Sequence, residues 1–278
     1  MSEKYTEIVM KAKDYYDSYD ADEFYYHVWG GEDFHLGIYH HDDESIFDAS
    51  RRTVKTMAGL VRLDEDTRVL DIGAGYGGAA RYLAGTYRCK VWCLNLSEKE
   101  NERNRQKNRE QGLEHLIKVF DGCFEDLPFE DEFFDVVWSE DAILHSGEKA
   151  KVIAEAARVL RNGGEFVFTD PMQADDCPQH LLQPILERIN LDSMGSVSLY
   201  RELAAQNNLE EILWVDLAKH LPRHYARVRR ELEAKYDEMR QMISQEYIDN
   251  MLKGLTRWVE GGENGHLDWA ILYFVKKL

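Results

Sequence analysis

The stretch VLDIGAGYGG, residues 69–78, decides the fold class that this sequence predicts. It lies in a β-rich run that starts at Thr67, and its glycines stand where this strand gives way to a helix over Ala79–Ala84. Glycines at such a turn let the backbone approach a ligand closely, and the first turn of the helix offers free N–H groups. The stretch therefore predicts a ligand site at the carboxyl end of a parallel strand.

Short β-rich runs alternate with helical stretches after this turn. The predicted strands are Lys90–Leu94, Leu116–Phe120, Phe134–Ser139 and Glu165–Thr169. The predicted helices are Glu98–Gln111, capped by Ser97, and Lys149–Leu160, which should end at Asn162-Gly163-Gly164. Strands that alternate with helices form a mostly parallel sheet with helices on both faces. The sequence thus predicts an α/β, Rossmann-like fold.

Both ends of the chain predict additions to this core. Residues 1–55 look helical and carry many aromatic side chains, so we expect an N-terminal helical lid over an α/β core at residues 56–171. Residues 172–278 should complete the core. Their predicted elements are strands at Glu210–Ala218 and Trp269–Val275 and a helical, substrate-binding insertion at about 172–208 and 220–255.

The composition excludes several classes of partner. The chain has 34 Lys and Arg against 52 Asp and Glu, a formal charge of −18, which would repel a phosphate backbone and speaks against nucleic acid. No apolar run approaches the roughly 18–20 residues that span a bilayer, and the N-terminus has no signal-peptide core. The four cysteines form no CxxC pair. We expect a cytoplasmic protein, a monomer or homodimer, that acts on a small molecule.

The glycine spacing alone leaves the ligand ambiguous. Gly73-x-Gly75-x-x-Gly78 also satisfies the dinucleotide fingerprint, so either NAD or S-adenosylmethionine would fit. Asp71 stands two residues before the first glycine, where its carboxylate could organise the loop near a cationic ligand. A dinucleotide would need that helix end clear for its pyrophosphate.

Two further features favour S-adenosylmethionine. The second strand ends in Asn95, so the acidic residue that usually binds ribose in dinucleotide enzymes is absent, although the amide can still bond ribose hydroxyls. After the third strand, Leu127-Pro128-Phe129 is followed by FDVV at residues 134–137, a run typical of methyltransferases.

Longer runs carry a narrower resemblance. The stretches YGGAARYLA, LNLSEKENERNR, GCFEDLPFEDEFFDVVWSEDAILHSGE, GGEFVFTDPMQADDCP and LPRHYARVRRELE together span nearly the whole chain. They resemble the sarcosine/dimethylglycine N-methyltransferases that make the osmolyte glycine betaine. FYYHVWGGEDFHLGIY and SEDAILH are more distantly similar to phosphoethanolamine methyltransferases.

The resemblance implies a class I methyltransferase fold with a seven-stranded sheet and a lid, and S-adenosylmethionine as cofactor. The residues expected at the cofactor are Asp71, Gly73, Ala74, Gly75, Asn95, Leu96 and Ser139, with Leu36 and Gly37 from the cover. Many relatives place an acidic residue four positions before LPF, against the adenine amine. Cys123 stands there in this chain, so either Asp121 substitutes or the backbone around Phe124 makes the contact.

The expected acceptor site follows the fourth strand. Asp141 and His145 are four residues apart and would share a face if a helix began there. By resemblance, Asp141 would bind the ammonium group and His145 would accept or relay its proton. The alternative is that Asp141 caps a helix and His145 packs or touches the cofactor. Tyr25 aligns with an active-site tyrosine, and Trp29 could face a methylammonium group through a cation–π contact.

A glycine-derived acceptor also carries a carboxylate. Our expected contacts are Arg227, with Tyr200 and Tyr225 as hydroxyl donors and Gln173 nearby, although a run such as RHYARVRRELE would also suit a solvated helix face. No metal site is expected, because the adjacent side chains of His40-His41-Asp42-Asp43 do not converge easily and fit a surface loop.

Two other functions remain open at this point. One is a methyltransferase for a different small acceptor, such as phosphoethanolamine, although so acidic a chain offers no evident basic cluster for a phosphate. The other is a cofactor-binding subunit without catalysis, which predicts a degenerate acceptor site. The presence of both Asp141 and His145 speaks against it.

Overall fold

The computed structural model describes residues 7–189, 191 and 193–278, so the first six residues of the expected lid lie outside the described part. The described strands form one seven-stranded sheet in the order β3-β2-β1-β4-β5-β7-β6. They are β1 Arg68–Ile72, β2 Lys90–Asn95, β3 Ile117–Asp121, β4 Phe134–Glu140, β5 Leu160–Gln173, β6 Leu209–Asp216 and β7 Leu267–Lys276.

Strands β1 to β5 run parallel, while β7 runs antiparallel to both β5 and β6. All five parallel strands therefore end at the same edge of the sheet. The glycine turn follows β1 at that edge. β1 lies beside β4, at the point where the strand order reverses direction. Open α/β sheets bind their ligands at such a point.

Helices cover both faces of the sheet. They are α1 Glu7–Tyr16, α2 Tyr19–Phe24, α3 Ile46–Ala58, α4 Gly78–Tyr87, α5 Glu98–Glu110, α6 Lys149–Val159, α7 Gln179–Ile189, α8 Val197–Gln206, α9 His220–Ala234, α10 Tyr236–Met239 and α11 Gln245–Glu263. A π-helical turn spans Tyr25–Trp29 and a 3₁₀ turn spans Ile143–His145.

Successive strand residues face opposite layers of the core. Val69 and Val136 belong to one buried cluster with residues of the N-terminal helices, α9 and α11. Leu70 and Val137 belong to a second cluster with residues of α6 and α8. Side chains alternate between the two faces of a strand, so a strand buried on both faces reads as a continuous apolar run.

The N-terminal helices are bonded to the insertion. The hydroxyl of Ser244, at the start of α11, donates to Asp20 of α2 over 2.5 Å. Lys235 donates to the carbonyl of His27 over 2.6 Å. These bonds place the N-terminal helices over the carboxyl edge of the sheet, against the helices of the insertion.

One predicted boundary is wrong. We expected a helix over Lys149–Leu160 with Asn162-Gly163-Gly164 as its breaker, but α6 ends one residue earlier, at Val159, and β5 already begins at Leu160. Leu160 pairs with Phe134 before the register shifts, so these glycines lie inside an irregular strand start. Among the described residues, no helix has both the length and the apolarity needed to cross a membrane.

Candidate active site

A cavity lies between the carboxyl edge of the sheet and the N-terminal helices. Of the residues predicted to bind a ligand, twelve line it: Tyr25, Trp29, Leu36, Asp71, Gly73, Ala74, Gly75, Asn95, Leu96, Cys123, Phe124 and Tyr225. Asp141 and His145 line it as well. The cavity thus joins the glycine turn to the residues expected at the acceptor.

The glycine turn is tight because two neighbours occupy the space of side chains. Gly73 has φ 79° and Gly75 has φ 49°. A Cβ on Gly73 would lie 2.3 Å from Cβ of Ala142, and a Cβ on Gly75 would lie 2.5 Å from Cζ of Phe34. Both the backbone angle and the packing therefore require glycine, which leaves the backbone of the turn open to the cavity.

Carboxylates buried in the cavity wall favour a cationic ligand. Asp71 is 3% exposed, and its Oδ2 has no hydrogen-bond partner among the described residues. Burial raises the pKa of Asp71 well above its usual range and that of Glu140 to about 7. A positive ligand would offset the cost of ionising these groups. S-adenosylmethionine, which carries a sulfonium and an ammonium group, fits this wall.

A carboxylate that sequence reasoning missed lies beside Asn95. Glu100 of α5 is buried, lines the cavity and accepts a 2.7 Å hydrogen bond from the Asn95 amide. Burial raises its pKa to about 8, against the opposing effect of that hydrogen bond. Ser97 caps α5 by accepting from the Glu100 N–H, so the spacing Ser97-x-x-Glu100 was the available signal. The helix after β2 thus places a carboxyl group beside Asn95 in the cavity wall.

Two predicted cofactor contacts lie elsewhere. Asp121 is exposed and accepts from Asn101 over 2.8 Å and from Arg105 over 3.0 Å, so it does not line the cavity. Ser139 is fully buried and donates to the carbonyl of Ile72 over 2.8 Å. Asp121 is therefore not placed for the expected adenine contact, whereas Phe124 lines the cavity.

Three side chains hold the cover segment, residues 35–39. The N–H of Leu36 donates to Asp141 Oδ2 over 2.6 Å, and the N–H of Gly37 donates to His224 over 3.0 Å. The N–H of Tyr39 donates to His220 over 3.2 Å. Leu36 lines the cavity, whereas Gly37 does not, because it packs against Ala49 of α3.

Asp141 and His145 do not share a helix face, so that expectation was wrong. Asp141 adopts φ 51°, outside the helical region, and only a 3₁₀ turn follows it. Its Oδ1 accepts from the Trp269 indole over 2.8 Å, and its Oδ2 accepts from Leu36. Asp141 thus joins the cover to β7, while both residues still reach the cavity.

His145 is bonded to a residue that sequence reasoning did not select. Its Nε2 lies 2.8 Å from the hydroxyl of Tyr16, at the end of α1, and the two rings meet edge to face. The Tyr16 ring lies 5.7 Å from the Tyr25 ring. The pair Tyr15-Tyr16 was visible in the sequence, but nothing local connected it to a histidine 129 positions away.

A cluster of aromatic rings lines part of the cavity wall. Trp29 lies 5.3 Å from Tyr25 and 5.8 Å from Tyr225, measured between ring centroids. Trp258 of α11, which we had not predicted, lies 4.7 Å from Tyr225 and also lines the cavity. Such faces attract a methylated ammonium group.

Three residues predicted to bind the substrate do not line the cavity. Arg227 bonds Glu231 over 2.9 Å and the carbonyl of Glu44 over 3.3 Å. Tyr200 lies in the core cluster on the other face of the sheet, and Gln173 donates its N–H to Gly195. Arg227 thus lies outside the cavity, and its half-buried side chain is bonded within the protein, so neither the carboxylate contact nor the solvated face describes it. Within the described part of the chain, no group of His, Cys, Asp and Glu could hold a metal ion.

The sheet order, the glycine turn and the acidic cavity define a class of protein. A profile of the methyltransferase domain family matches residues 70–168. The solved structure of Haemonchus contortus phosphoethanolamine N-methyltransferase 2, which contains S-adenosylhomocysteine, shares the fold with a TM-score of 0.82 at 16% identity. It covers 96% of this chain and 60% of that one. The protein has the class I methyltransferase fold and uses S-adenosylmethionine.

Closer relatives narrow the class. A sarcosine/dimethylglycine N-methyltransferase from Halorhodospira halochloris is 57% identical over 95% of each chain. The structure of a candidate sarcosine dimethylglycine methyltransferase from Galdieria sulphuraria is 42% identical, with a TM-score of 0.90 over 95% of this chain and 99% of that one. The chain belongs to the sarcosine/dimethylglycine N-methyltransferase family. The predictions of fold, family, cofactor and enzyme class are confirmed.

Proposed function

We propose that this enzyme methylates the nitrogen of sarcosine and of dimethylglycine, and that its product, glycine betaine, serves as an osmolyte. The observation that carries the proposal is the His145–Tyr16 pair, bonded over 2.8 Å at the aromatic end of the cavity that begins at the glycine turn. The relatives named above supply the class of acceptor.

Both acceptors are ammonium ions near neutral pH, so each must lose a proton before its nitrogen can react. Bound S-adenosylmethionine supplies the electrophilic methyl group for an in-line displacement. His145 takes the ammonium proton, and the Tyr16 hydroxyl fixes the orientation of its ring. Most of the rate acceleration then comes from holding the free amine against the methyl carbon in the right direction.

The aromatic rings serve the charged product. Each methylation of dimethylglycine yields a quaternary ammonium ion, which cannot donate a hydrogen bond. The faces of Trp29, Tyr25 and Tyr225 can stabilise it by cation–π attraction of roughly 0.5–2 kcal/mol each. Asp141 adds a negative charge at the same end of the cavity while its oxygens hold the cover.

The acceptor carboxylate needs hydrogen-bond donors. We keep Tyr225 as a proposed contact because it lines the cavity, and we give up Arg227 because its guanidinium is engaged elsewhere. The lid at residues 1–55, the core at 56–171, the substrate-binding insertion, the cytoplasmic location and the monomeric or homodimeric state also stay proposals.

A product assay tests the function. The purified enzyme is incubated with S-adenosylmethionine and, separately, with glycine, sarcosine, dimethylglycine and phosphoethanolamine, and the products are identified by mass. Betaine from dimethylglycine supports the proposal. Methylation of phosphoethanolamine alone would favour the alternative acceptor, and no methylated amine at all would favour a cofactor-binding subunit.

A further inference from the structure

A buried polar network lies directly behind His145, on the face of the sheet away from the cavity. Asp170 is fully buried near the end of β5, and its two carboxylate oxygens have separate partners. Oδ1 accepts the N–H of Leu144 over 2.8 Å, and Oδ2 accepts the hydroxyl of Tyr200 over 2.6 Å. One oxygen thus holds the backbone beside His145, and the other is tied to α8.

Lys149 holds the same turn from the other side. Its ammonium group donates to the carbonyl of Ser146 over 2.8 Å and to that of Leu144 over 3.3 Å. Lys149 is only 7% exposed, and its charge lies near the carboxylates of Asp170 and Glu125. The residues immediately before and after His145 are therefore both bonded to buried side chains.

The chemistry of the network is unusual for a core. Burial raises the pKa of Asp170, and burial lowers that of Lys149, so each group would be costly without the other. Burying a charged pair gives little net stability compared with apolar residues of similar size. A network that stabilises little but fixes the backbone on both sides of one residue suits a positioning role.

We propose that Tyr200, Asp170 and Lys149 position His145 for proton transfer. They do not touch the acceptor; they fix the 3₁₀ turn at Ile143–His145 so that the imidazole stays in register with Tyr16 and the methyl group. Tyr200 completes the set by orienting the Asp170 carboxylate. The proposal rests on the proposed function, in which His145 takes the ammonium proton.

The chain offers a matched control for Tyr200. The hydroxyl of Tyr273 also donates to a buried carboxylate of β5, that of Glu165, over the same 2.6 Å. Glu165 lies near the middle of β5, five positions before Asp170, and neither it nor Tyr273 lines the cavity. Tyr200→Phe and Tyr273→Phe therefore remove the same kind of hydrogen bond, one behind His145 and one far from it.

The experiment compares both variants for Tm, for the Kd of S-adenosylhomocysteine, and for kcat and KM with dimethylglycine. We expect Tyr200→Phe to lower kcat roughly tenfold, since small misplacements of reacting groups are costly, with the Kd unchanged within twofold. Tyr273→Phe should lose a similar amount of Tm and keep its kcat. Lys149→Met should lower kcat in the same way as Tyr200→Phe. Lys149→Arg, which keeps the positive charge, should have a higher kcat than Lys149→Met.

A double-mutant cycle separates positioning from general destabilisation. In a His145→Ala background, Tyr200→Phe should change kcat less than twofold, because residues that act through one group are not additive. An equal loss of kcat in both backgrounds, or a loss in Tyr273→Phe as large as in Tyr200→Phe, would overturn the proposal. If wild-type enzyme methylates dimethylglycine but His145→Ala keeps full activity, His145 does not take the proton. That result overturns the proposed role of His145, and with it the positioning role, without contradicting the methylation of dimethylglycine.

Discussion

His145 Nε2 and the Tyr16 hydroxyl lie 2.8 Å apart, although 129 positions separate the residues in sequence. The bond joins the 3₁₀ turn after β4 to the last residue of α1. In the proposed mechanism, His145 therefore has its hydroxyl partner only when the N-terminal helices are in place. Proton removal would then depend on a contact between α1 and the turn after β4.

Removing this contact tests that dependence. Tyr16→Phe should lower kcat with dimethylglycine by about one to two orders of magnitude, less than the roughly 10²–10⁴-fold contribution of a proton-transfer group, because Tyr16 orients His145 and does not itself take the proton. The loss should shrink toward high pH, where more of the amine is already free. Binding of S-adenosylhomocysteine, measured by calorimetry, should not change. A loss of activity that is equal at all pH values would contradict a role in proton removal.

Asp141→Asn should damage both the cover and turnover. The carboxylate accepts two N–H groups, from Leu36 and Trp269, whereas a carboxamide has one acceptor oxygen and a donating nitrogen. One buried N–H would face a donor, at a cost of about 1–3 kcal/mol. We expect dimethylglycine turnover to fall at least tenfold, roughly what such a cost implies. The affinity for the cofactor should fall by a smaller factor. Activity that survives within a few-fold would show that Asp141 is dispensable.

Glu100 should make stability depend on pH. Burial raises its pKa to about 8, so the folded state holds a proton that the unfolded chain releases near the usual value of 4.5. The free enzyme should therefore lose stability as pH rises between these values, with the full cost present above pH 8. In Glu100→Gln this loss disappears, so the difference in Tm between variant and wild type should grow from pH 5 to pH 8.

The same helix supplies a control for Glu100. Glu102→Gln changes an exposed residue of α5, so its Tm should follow that of wild type at every pH. Glu100→Gln should also weaken S-adenosylmethionine binding, because Glu100 lines the cavity beside Asn95. A pH dependence that is identical in wild type and Glu100→Gln would mean that this carboxyl titrates normally.

The glycine turn can be tested with a pair of equal substitutions. A Cβ on Gly75 would lie 2.5 Å from Cζ of Phe34, at φ 49°, whereas a Cβ on Gly85 of α4 would meet no atom within 4 Å. Gly75→Ala should abolish measurable cofactor binding. Gly85→Ala should bind normally and gain about 0.5–1 kcal/mol of stability, since glycine weakens a helix interior. Equal cofactor affinity in the two variants would contradict the close packing of the turn.

The part of the molecule that could be predicted from sequence is the part encoded by short-range patterns. VLDIGAGYGG placed the first strand and its turn because residue periodicity and glycine spacing are local. Asp141 and His145 both line the cavity, but the helix that would have joined them does not form, because Asp141 turns to bond Leu36 and Trp269. Glu100 and Tyr16 were missed because each gains its place only when separate elements pack together.

Arg227 marks the opposite error, since a plausible side chain was assigned to a site that it does not reach. Its guanidinium bonds Glu231 one turn along α9 and the carbonyl of Glu44. Because Arg227 does not line the cavity, we expect Arg227→Met to change the KM for dimethylglycine by less than about threefold, the usual size of effects away from special features, and to leave kcat unchanged. Tyr225→Phe, in the cavity, should raise that KM instead. Steady-state kinetics with dimethylglycine at saturating S-adenosylmethionine distinguishes the two variants. A tenfold rise in KM for Arg227→Met alone would show that Arg227 binds the acceptor carboxylate after all.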